Sequence, residues 1–167
     1  GDGIGDACDA PPPPPPPAPG TIAFSVSSYP VIEGAARARQ IQILRTGGSA
    51  GIVSVDLTTS DGTAQASRVV ADIGRLQPTP DYDRASGTLV FADGEVEKRF
   101  FVAVTDDDEI EPDETVNLLL RNPTGGATLG EPSTSVLTII DNDPNIQFTR
   151  SSSSASEGQG PLFLEVA

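Results

Sequence analysis

Short alternating runs of apolar and polar residues fill the chain from residue 21 to residue 140, and clusters of Gly, Asp, Pro and Ser separate them. A two-residue period indicates β-strands, and no stretch shows a competing helical period. Seven such strands can close the two-sheet core of an all-β, antiparallel, immunoglobulin-like sandwich. The predicted strands are 22–31, 39–46, 52–59, 87–91, 98–104, 115–121 and 135–140.

The same period predicts which side chains face the core, because successive strand residues point to opposite faces of a sheet. The predicted inward positions are Ile22, Phe24 and Val26; Ile41 and Ile43; Val53, Val55 and Leu57; Leu89 and Phe91; Phe100, Val102 and Val104; Val116, Leu118 and Leu120; and Leu137 and Ile139.

Strand direction predicts which turns meet. Successive strands of an antiparallel sandwich run in opposite directions, so the turns alternate between the two ends of the domain. The turns expected at the second end, 47–51, 92–94 and 122–126, are glycine-containing turns with little charge. Four acidic segments are expected to converge at the first end: Glu33-Gly34, the connection with Asp81 and Asp83, the loop 106–114 and the terminus 141–143.

The net charge of the chain limits its partners. It is -14, from 24 acidic and 10 basic residues. Such a chain is a poor match for a nucleic-acid backbone or an anionic membrane surface, and no apolar run approaches the length that spans a bilayer. We therefore expect no nucleic-acid partner and no direct membrane insertion, and we expect dissolved cations to bind.

Calcium is the cation that the residue types favour. The stretch 105–115, TDDDEIEPDET, contains seven acids and no base, and the chain has no His and a single Cys. Calcium takes six to eight oxygen ligands, whereas zinc and copper want imidazole or thiolate and magnesium retains more water. An isolated acidic run is more often a solvated surface, but the convergence of four segments favours a site. The strongest candidates are Asp106, Asp107, Glu111 and Glu114.

Other acidic residues have competing interpretations. Asp141 and Asp143 flank Asn142, whose amide oxygen can also bind a cation. Asp108 and Asp113 are expected to be either ligands or simply solvated. Asp61 precedes Gly62, and this pairing is more typical of a turn than of a ligand. Asp83 is similarly ambiguous.

The two ends of the chain differ from its middle. Residues 1–9, GDGIGDACD, resemble the tail of a thrombospondin type 3 repeat, a calcium-dependent extracellular family. Cys8 then suggests a disulfide partner outside this stretch, with a free thiol as the alternative. Residues 10–20 are a proline-rich linker, expected to be a polyproline II spacer rather than a recognition ligand. Residues 144–167 restart the domain, since Ile146-Gln147-Phe148 matches Ile22-Ala23-Phe24 at a distance of one domain.

Several motifs in residues 20–143 together resemble a Calx-beta domain, so we assign 21–143 to that fold. They include Asp81-Tyr82, Gly87-Thr88-Leu89-Val90-Phe91, the acidic run 106–114 and Ile139-Ile140-Asp141-Asn142-Asp143. An insertion at 68–80 and the amide at Asn142 depart from the family pattern. The resemblance implies a calcium cluster formed by Glu33, Asp81, Asp106, Asp107, Glu111, Glu114, Asp141 and Asp143, with Asn142 and the carbonyl of Glu109 contributing.

These observations predict a calcium-binding structural or adhesion module that rigidifies a tandem-repeat protein, secreted or displayed at the cell surface. Its expected partners are calcium ions, adjacent Calx-beta copies, and an extracellular protein or carbohydrate ligand. The alternative is a calcium sensor that signals to a neighbouring domain. Enzymatic activity is not expected, because paired carboxylates that hydrolyse glycosides need an aromatic-lined cleft and the chain has no Trp and two Tyr.

Overall fold

The structure is a computed structural model that describes residues 17–35, 38–67 and 79–143. The predictions for the thrombospondin-like tail 1–9, for most of the linker and the 68–80 insertion, and for the second copy at 144–167 lie outside the described residues. No helix in the described ranges has the length and apolar character needed to cross a membrane.

Nine strands form in these ranges, where alternating burial follows the alternating sequence. In β4, for example, Val53, Val55 and Leu57 are buried and the residues between them are half-buried. The strands are β1 Thr21–Phe24, β2 Ser28–Ile32, β3 Ala38–Thr46, β4 Val53–Asp61, β5 Ser86–Phe91, β6 Glu97–Ala103, β7 Glu114–Arg121, β8 Thr128–Leu129 and β9 Thr134–Ile140.

Two sheets pack against each other, with strand orders β6-β3-β1-β8 and β2-β9-β7-β4-β5. The predicted all-β, immunoglobulin-like sandwich is confirmed. The described residues form nine strands, roughly in line with the seven predicted. The purely antiparallel pairing is wrong, because β1 pairs with β8 and β2 pairs with β9 in parallel.

The first predicted strand, 22–31, is divided between the two sheets. The chain leaves β1 after Phe24 and crosses to the second sheet before β2 begins at Ser28. The Tyr29 hydroxyl supports this crossing, since it donates to the Gln42 carbonyl at 2.8 Å and lies 3.0 Å from the Ser25 hydroxyl. Val26 lies in the crossing and is 46% exposed, so its predicted inward position is wrong.

A continuous apolar core fills the space between the sheets. It contains side chains from both sheets, including Ile22, Ile41, Leu57, Phe91 and Leu137. The predicted inward positions Leu89 and Phe100 pack against this core but are only partly buried. The alternating pattern therefore predicted most of the core correctly, since the other inward positions apart from Val26 are buried.

Arg45 holds the incoming chain at the end of the sandwich that carries the glycine-containing turns. Its side chain is 2% exposed, and its guanidinium bonds backbone carbonyls instead of a carboxylate. Nε donates to Pro19 O at 2.6 Å, Nη2 to Ala50 O at 2.6 Å, and Nη1 to Ala92 O at 3.2 Å. Three segments are thus joined by one side chain, which satisfies carbonyls that would otherwise lose hydrogen bonds on burial.

Candidate metal centre

The acidic segments meet because of how the strands end. Parallel β2 and β9 are paired with Ile32 opposite Ile140, so the next residues of both strands emerge side by side. The Glu33 N–H donates to Ile140 O at 3.1 Å and closes this end. β7 starts at the same end, with Glu114 opposite Ile139. The predicted convergence of acidic segments is therefore observed.

Glu33, Asp141 and Asp143 form one group, called the Glu33 cluster below. One carboxylate oxygen from each lies within 4.8 Å of the others. Glu33 is buried, and Asp143 Oδ2 is shielded from solvent without a hydrogen-bond partner among the described residues. A buried carboxylate oxygen without a partner is costly, so this geometry suits a bound cation.

Backbone and amide bonds hold the Glu33 cluster in shape. Asp141 Oδ1 accepts from the Asp143 N–H at 2.9 Å, and the Asn142 amide nitrogen donates to the Glu33 carbonyl at 2.7 Å. Gly34 has φ +65°, and a Cβ there would lie 2.7 Å from Asp106 Oδ1. The predicted ligand Asp106 therefore lies against the Glu33 turn, and Asn142 presents its nitrogen to that turn.

Asp81, Glu111 and Glu114 form the second group, the Asp81 cluster, by the same 4.8 Å criterion. Asp81 is buried, and its Oδ2 accepts from the Gln65 N–H at 2.6 Å. The backbone of Asp81 also bonds both neighbours, since its N–H donates to Gln65 O at 3.0 Å and its carbonyl accepts from Thr105 N–H at 2.9 Å. Asp81 is consequently fixed between two segments.

The two clusters share the loop between β6 and β7. The Glu111 side chain belongs to the Asp81 cluster, whereas its N–H donates to Asp141 Oδ2, in the Glu33 cluster, at 3.2 Å. Asp107, half-buried in the same loop, accepts from the Glu109 N–H at 2.8 Å. Movement of this loop would therefore affect both clusters.

Burial and like charge raise the pKa values of the clustered acids. Burial, followed by the charges of Asp107 and Asp141, raises the pKa of Glu33 to about 7. Burial and then Asp81 raise the pKa of Glu114 and that of Glu111. The ion pairs of the described residues lie elsewhere, at Arg84–Asp61, Lys98–Glu95 and Arg99–Glu97. A divalent cation would supply the missing positive charge.

The structure separates the predicted site residues into three kinds. Six form the two clusters, and Asp106, Asp107 and Asn142 contact the turns and loops around them. The Glu109 side chain is exposed, as are Asp108 and Asp113. No ligand assignment follows from these positions alone, so the ligand set stays a prediction.

Asp61 and Asp83 lie outside both clusters. Asp61 Oδ1 accepts from the Tyr82 hydroxyl at 2.6 Å, from Arg84 at 2.9 Å and from the Ala66 N–H at 3.2 Å. The Tyr82 and Arg84 bonds, in that order, lower the pKa of Asp61 to about 2. The sequence favoured a turn role for Asp61, which fits the Ala66 bond, but it gave no sign of the contact with Tyr82.

The donor set fits calcium. Each cluster offers three carboxylates, and backbone carbonyls and water can complete the six to eight oxygens that calcium takes. The described residues include no His or Cys, which removes the ligands that zinc and copper prefer.

Comparison with known proteins agrees with this chemistry. The chain matches the Calx-beta domain family over residues 17–143. It is 31% identical over 145 residues to the sodium/calcium exchanger Calx of Drosophila melanogaster, covering 86% of this chain and 14% of that protein. It is 32% identical over 139 residues to sodium/calcium exchanger 1 of Canis lupus familiaris, covering 73% and 13%. The chain thus spans about one seventh of the length of these relatives.

Solved structures give the same result. The apo-form Calx CBD1 domain superposes with a TM-score of 0.63 at 31% identity, covering 74% of this chain and 97% of that domain. The calcium binding domain CBD12 of CALX1.1 gives a TM-score of 0.64 at 31% identity, covering 87% of this chain and 56% of that chain.

The predicted secreted, extracellular location is wrong by these comparisons, because the two relatives named above are sodium/calcium exchangers. The prediction depended on one cysteine and on calcium chemistry. Neither is specific to a compartment, since calcium sites use the same oxygen ligands everywhere and differ mainly in affinity.

Proposed function

Because the chain belongs to the Calx-beta domain family, we propose that it is a calcium-binding module whose acidic end regulates a neighbouring domain. The observation that carries the proposal is the pair of three-carboxylate clusters, one of which has a shielded oxygen without a partner. Calcium would be held by the cluster carboxylates, with Asp106 and Asp107 close enough to contribute from the shared loop. Catalysis is not part of this role.

We favour regulation over simple stabilisation because the loop between β6 and β7 connects the Asp81 cluster to residues 141–143, which follow the strand β9. The loop contributes Glu111 to one cluster and bonds Asp141 of the other. Asp141 and Asp143 also follow the strand β9 directly, at the end of the family match. Binding would draw the loop and residues 141–143 together, which is a change that a following domain can sense.

An adjacent Calx-beta copy is the proposed recipient of this signal. A related structure, CBD12, is described as a calcium binding domain and aligns over only about half of its length with this chain, which leaves room in that protein for a second domain. The repeated motifs after residue 144 support the same arrangement here.

Calorimetric titration of the purified chain with calcium tests the binding. We expect saturable calcium binding that magnesium matches poorly, because magnesium demands a smaller octahedral site. Glu114→Gln should weaken calcium binding by about tenfold or more, since it removes one charge from the Asp81 cluster. Asp113→Asn is the matched control, because it makes the same charge change at an exposed neighbour. Absence of calcium binding by the unaltered chain would contradict the proposal.

A passive, calcium-stiffened spacer is the second candidate. It is favoured because Asp143, a member of the Glu33 cluster, is followed directly by Pro144 and the repeated motifs. Amide hydrogen exchange with and without calcium separates the two roles. A regulatory module should show altered exchange beyond the clusters and into residues after 144. A spacer should show slower exchange at the clusters alone.

A further inference from the structure

We propose that Tyr82 and Asp61 are positioning residues for the Asp81 cluster: the bond between their side chains fixes Asp81 for calcium, although neither residue is a ligand. This inference rests on the proposed calcium binding. It assigns a function to a buried hydrogen bond that the cluster itself does not include.

The location of Tyr82 supports this role. It follows Asp81 directly, its side chain is fully buried, and its hydroxyl donates to Asp61 Oδ1 at 2.6 Å. The Tyr82 side chain is thus anchored to the last residue of β4, a strand in the middle of its sheet.

The segment that carries Asp81 needs such an anchor because it is short. Tyr82 forms isolated bridges to Ala66 on one side and to Val104 on the other, and no regular strand covers residues 79–85. Asp61 also accepts from the Ala66 N–H at 3.2 Å, so the same carboxylate holds the neighbouring segment. Loss of the Asp61 acceptor would release both sides of the segment that presents Asp81.

The anchor also extends to β7, where the cluster acid Glu114 begins the strand. The Asn117 side-chain amide donates to Asp61 O at 3.0 Å, and the N–H groups of Gly62 and Ala64 donate to Thr115 O at 3.1 Å. Asp61 therefore lies where β4, β7 and the Asp81 segment meet. Groups that orient metal ligands without touching the metal commonly change affinity by about 10- to 100-fold.

Three variants distinguish positioning from a general effect of charge. Tyr82→Phe removes only the hydroxyl, Asp61→Ala removes the acceptor, and Asp61→Asn removes the charge but keeps an acceptor oxygen. Positioning predicts about tenfold weaker calcium binding for the first two and nearly full affinity for Asp61→Asn. A charge effect also weakens Asp61→Ala but reverses the other two results, with Asp61→Asn weakened and Tyr82→Phe unchanged.

Calcium titration of the full chain, followed by nuclear magnetic resonance, gives a readout for each cluster. The Gln65 amide, which donates to Asp81, reports the Asp81 cluster, and the Asp143 amide reports the Glu33 cluster. We expect the Gln65 midpoint to move to higher calcium in Tyr82→Phe and Asp61→Ala, and the Asp143 midpoint to move less. Thr88→Val is the matched control, because it removes a hydroxyl bond to Asp56, of 2.7 Å, away from the clusters.

The outcomes separate this inference from the proposed function. If the unaltered chain binds calcium but Tyr82→Phe keeps the normal Gln65 midpoint, positioning is overturned while calcium binding stands. If the unaltered chain shows no calcium-dependent shift, the proposed function itself fails. Thermal unfolding of the ion-free variants identifies those that are folded, and Tyr82→Phe, which retains the buried ring, provides the test if Asp61→Ala is unfolded.

Discussion

The ion-free domain should lose stability as the pH rises from about 4.5 to 7, and Glu33→Gln should remove much of that loss. Glu33 is buried beside Asp141 and Asp107, and its pKa is raised from 4.5 to about 7. Within this window the folded carboxyl keeps its proton while the unfolded carboxyl ionises. Unfolding therefore releases a proton, so the folded state becomes less stable as the pH increases.

The size of the effect follows from the pKa of Glu33. The rise from 4.5 to about 7 corresponds to about 3 kcal/mol at roughly 1.4 kcal/mol for each pKa unit. The raised pKa of Glu114 acts in the same direction. For a domain of this size, each 1 kcal/mol moves the unfolding midpoint by about 4 °C, so the difference between acidic and neutral pH should be readily measurable.

The assay is thermal unfolding in chelator at a series of pH values, followed by circular dichroism. Glu33→Gln should be more stable than the unaltered chain above pH 7 and should show a flatter profile. Calcium should restore the unaltered chain at neutral pH and have less effect near pH 5, where protons compete for the carboxylates. An unfolding midpoint that rises with pH in chelator, or an unchanged slope in Glu33→Gln, would refute the reasoning.

Three further substitutions test the packing and the turn. Leu57→Ala should destabilise the domain by about 2–5 kcal/mol in urea unfolding, because Leu57 is fully buried in the core. Val26→Ser should change the free energy of unfolding by less than about 0.5 kcal/mol in the same assay, since Val26 is largely exposed. A large loss of stability would instead indicate that Val26 packs in the core, as the alternating pattern predicted. Gly34→Ala should weaken calcium binding in calorimetry, because the added methyl group would meet Asp106 at a φ of +65°. Unchanged affinity would show that the Gly34 turn does not shape the site.

Alternation and strand direction were enough to predict the sandwich and the meeting of the acidic segments. They missed the division of the first strand, although the apolar positions of 22–31 shift from even to odd numbers across Ser27-Ser28, next to the point where the chain crosses between sheets. The two-residue strand β8 is too short to leave a periodic pattern. The parallel pairing of β2 with β9 also depends on packing between distant segments.

The site was less predictable than the fold. Composition pointed to the acidic loop, but the choice of Asp81 over Asp83 came from the family resemblance. In the structure Asp81 belongs to a cluster, whereas Asp83 accepts a hydrogen bond from the Ser67 hydroxyl. Burial of Glu33 and the unpartnered oxygen of Asp143 are properties of packing and have no signature in residue order. The same is true of the Tyr82–Asp61 bond, which joins residues from two separate segments.

The position of Arg45 also affects how the domain would respond to mechanical force. The chain arrives at Pro19, which Arg45 holds at one end of the sandwich, and it departs beyond Asp143 at the other end. Tension between these points pulls β2 and β9 in opposite directions along their length. Because the two strands are parallel and paired from Ser28–Val136 to Ile32–Ile140, their hydrogen bonds would be loaded together in shear instead of opening one after another. Calcium bound at the Glu33 cluster would join the ends of these same two strands, so calcium should raise the force at which the domain yields.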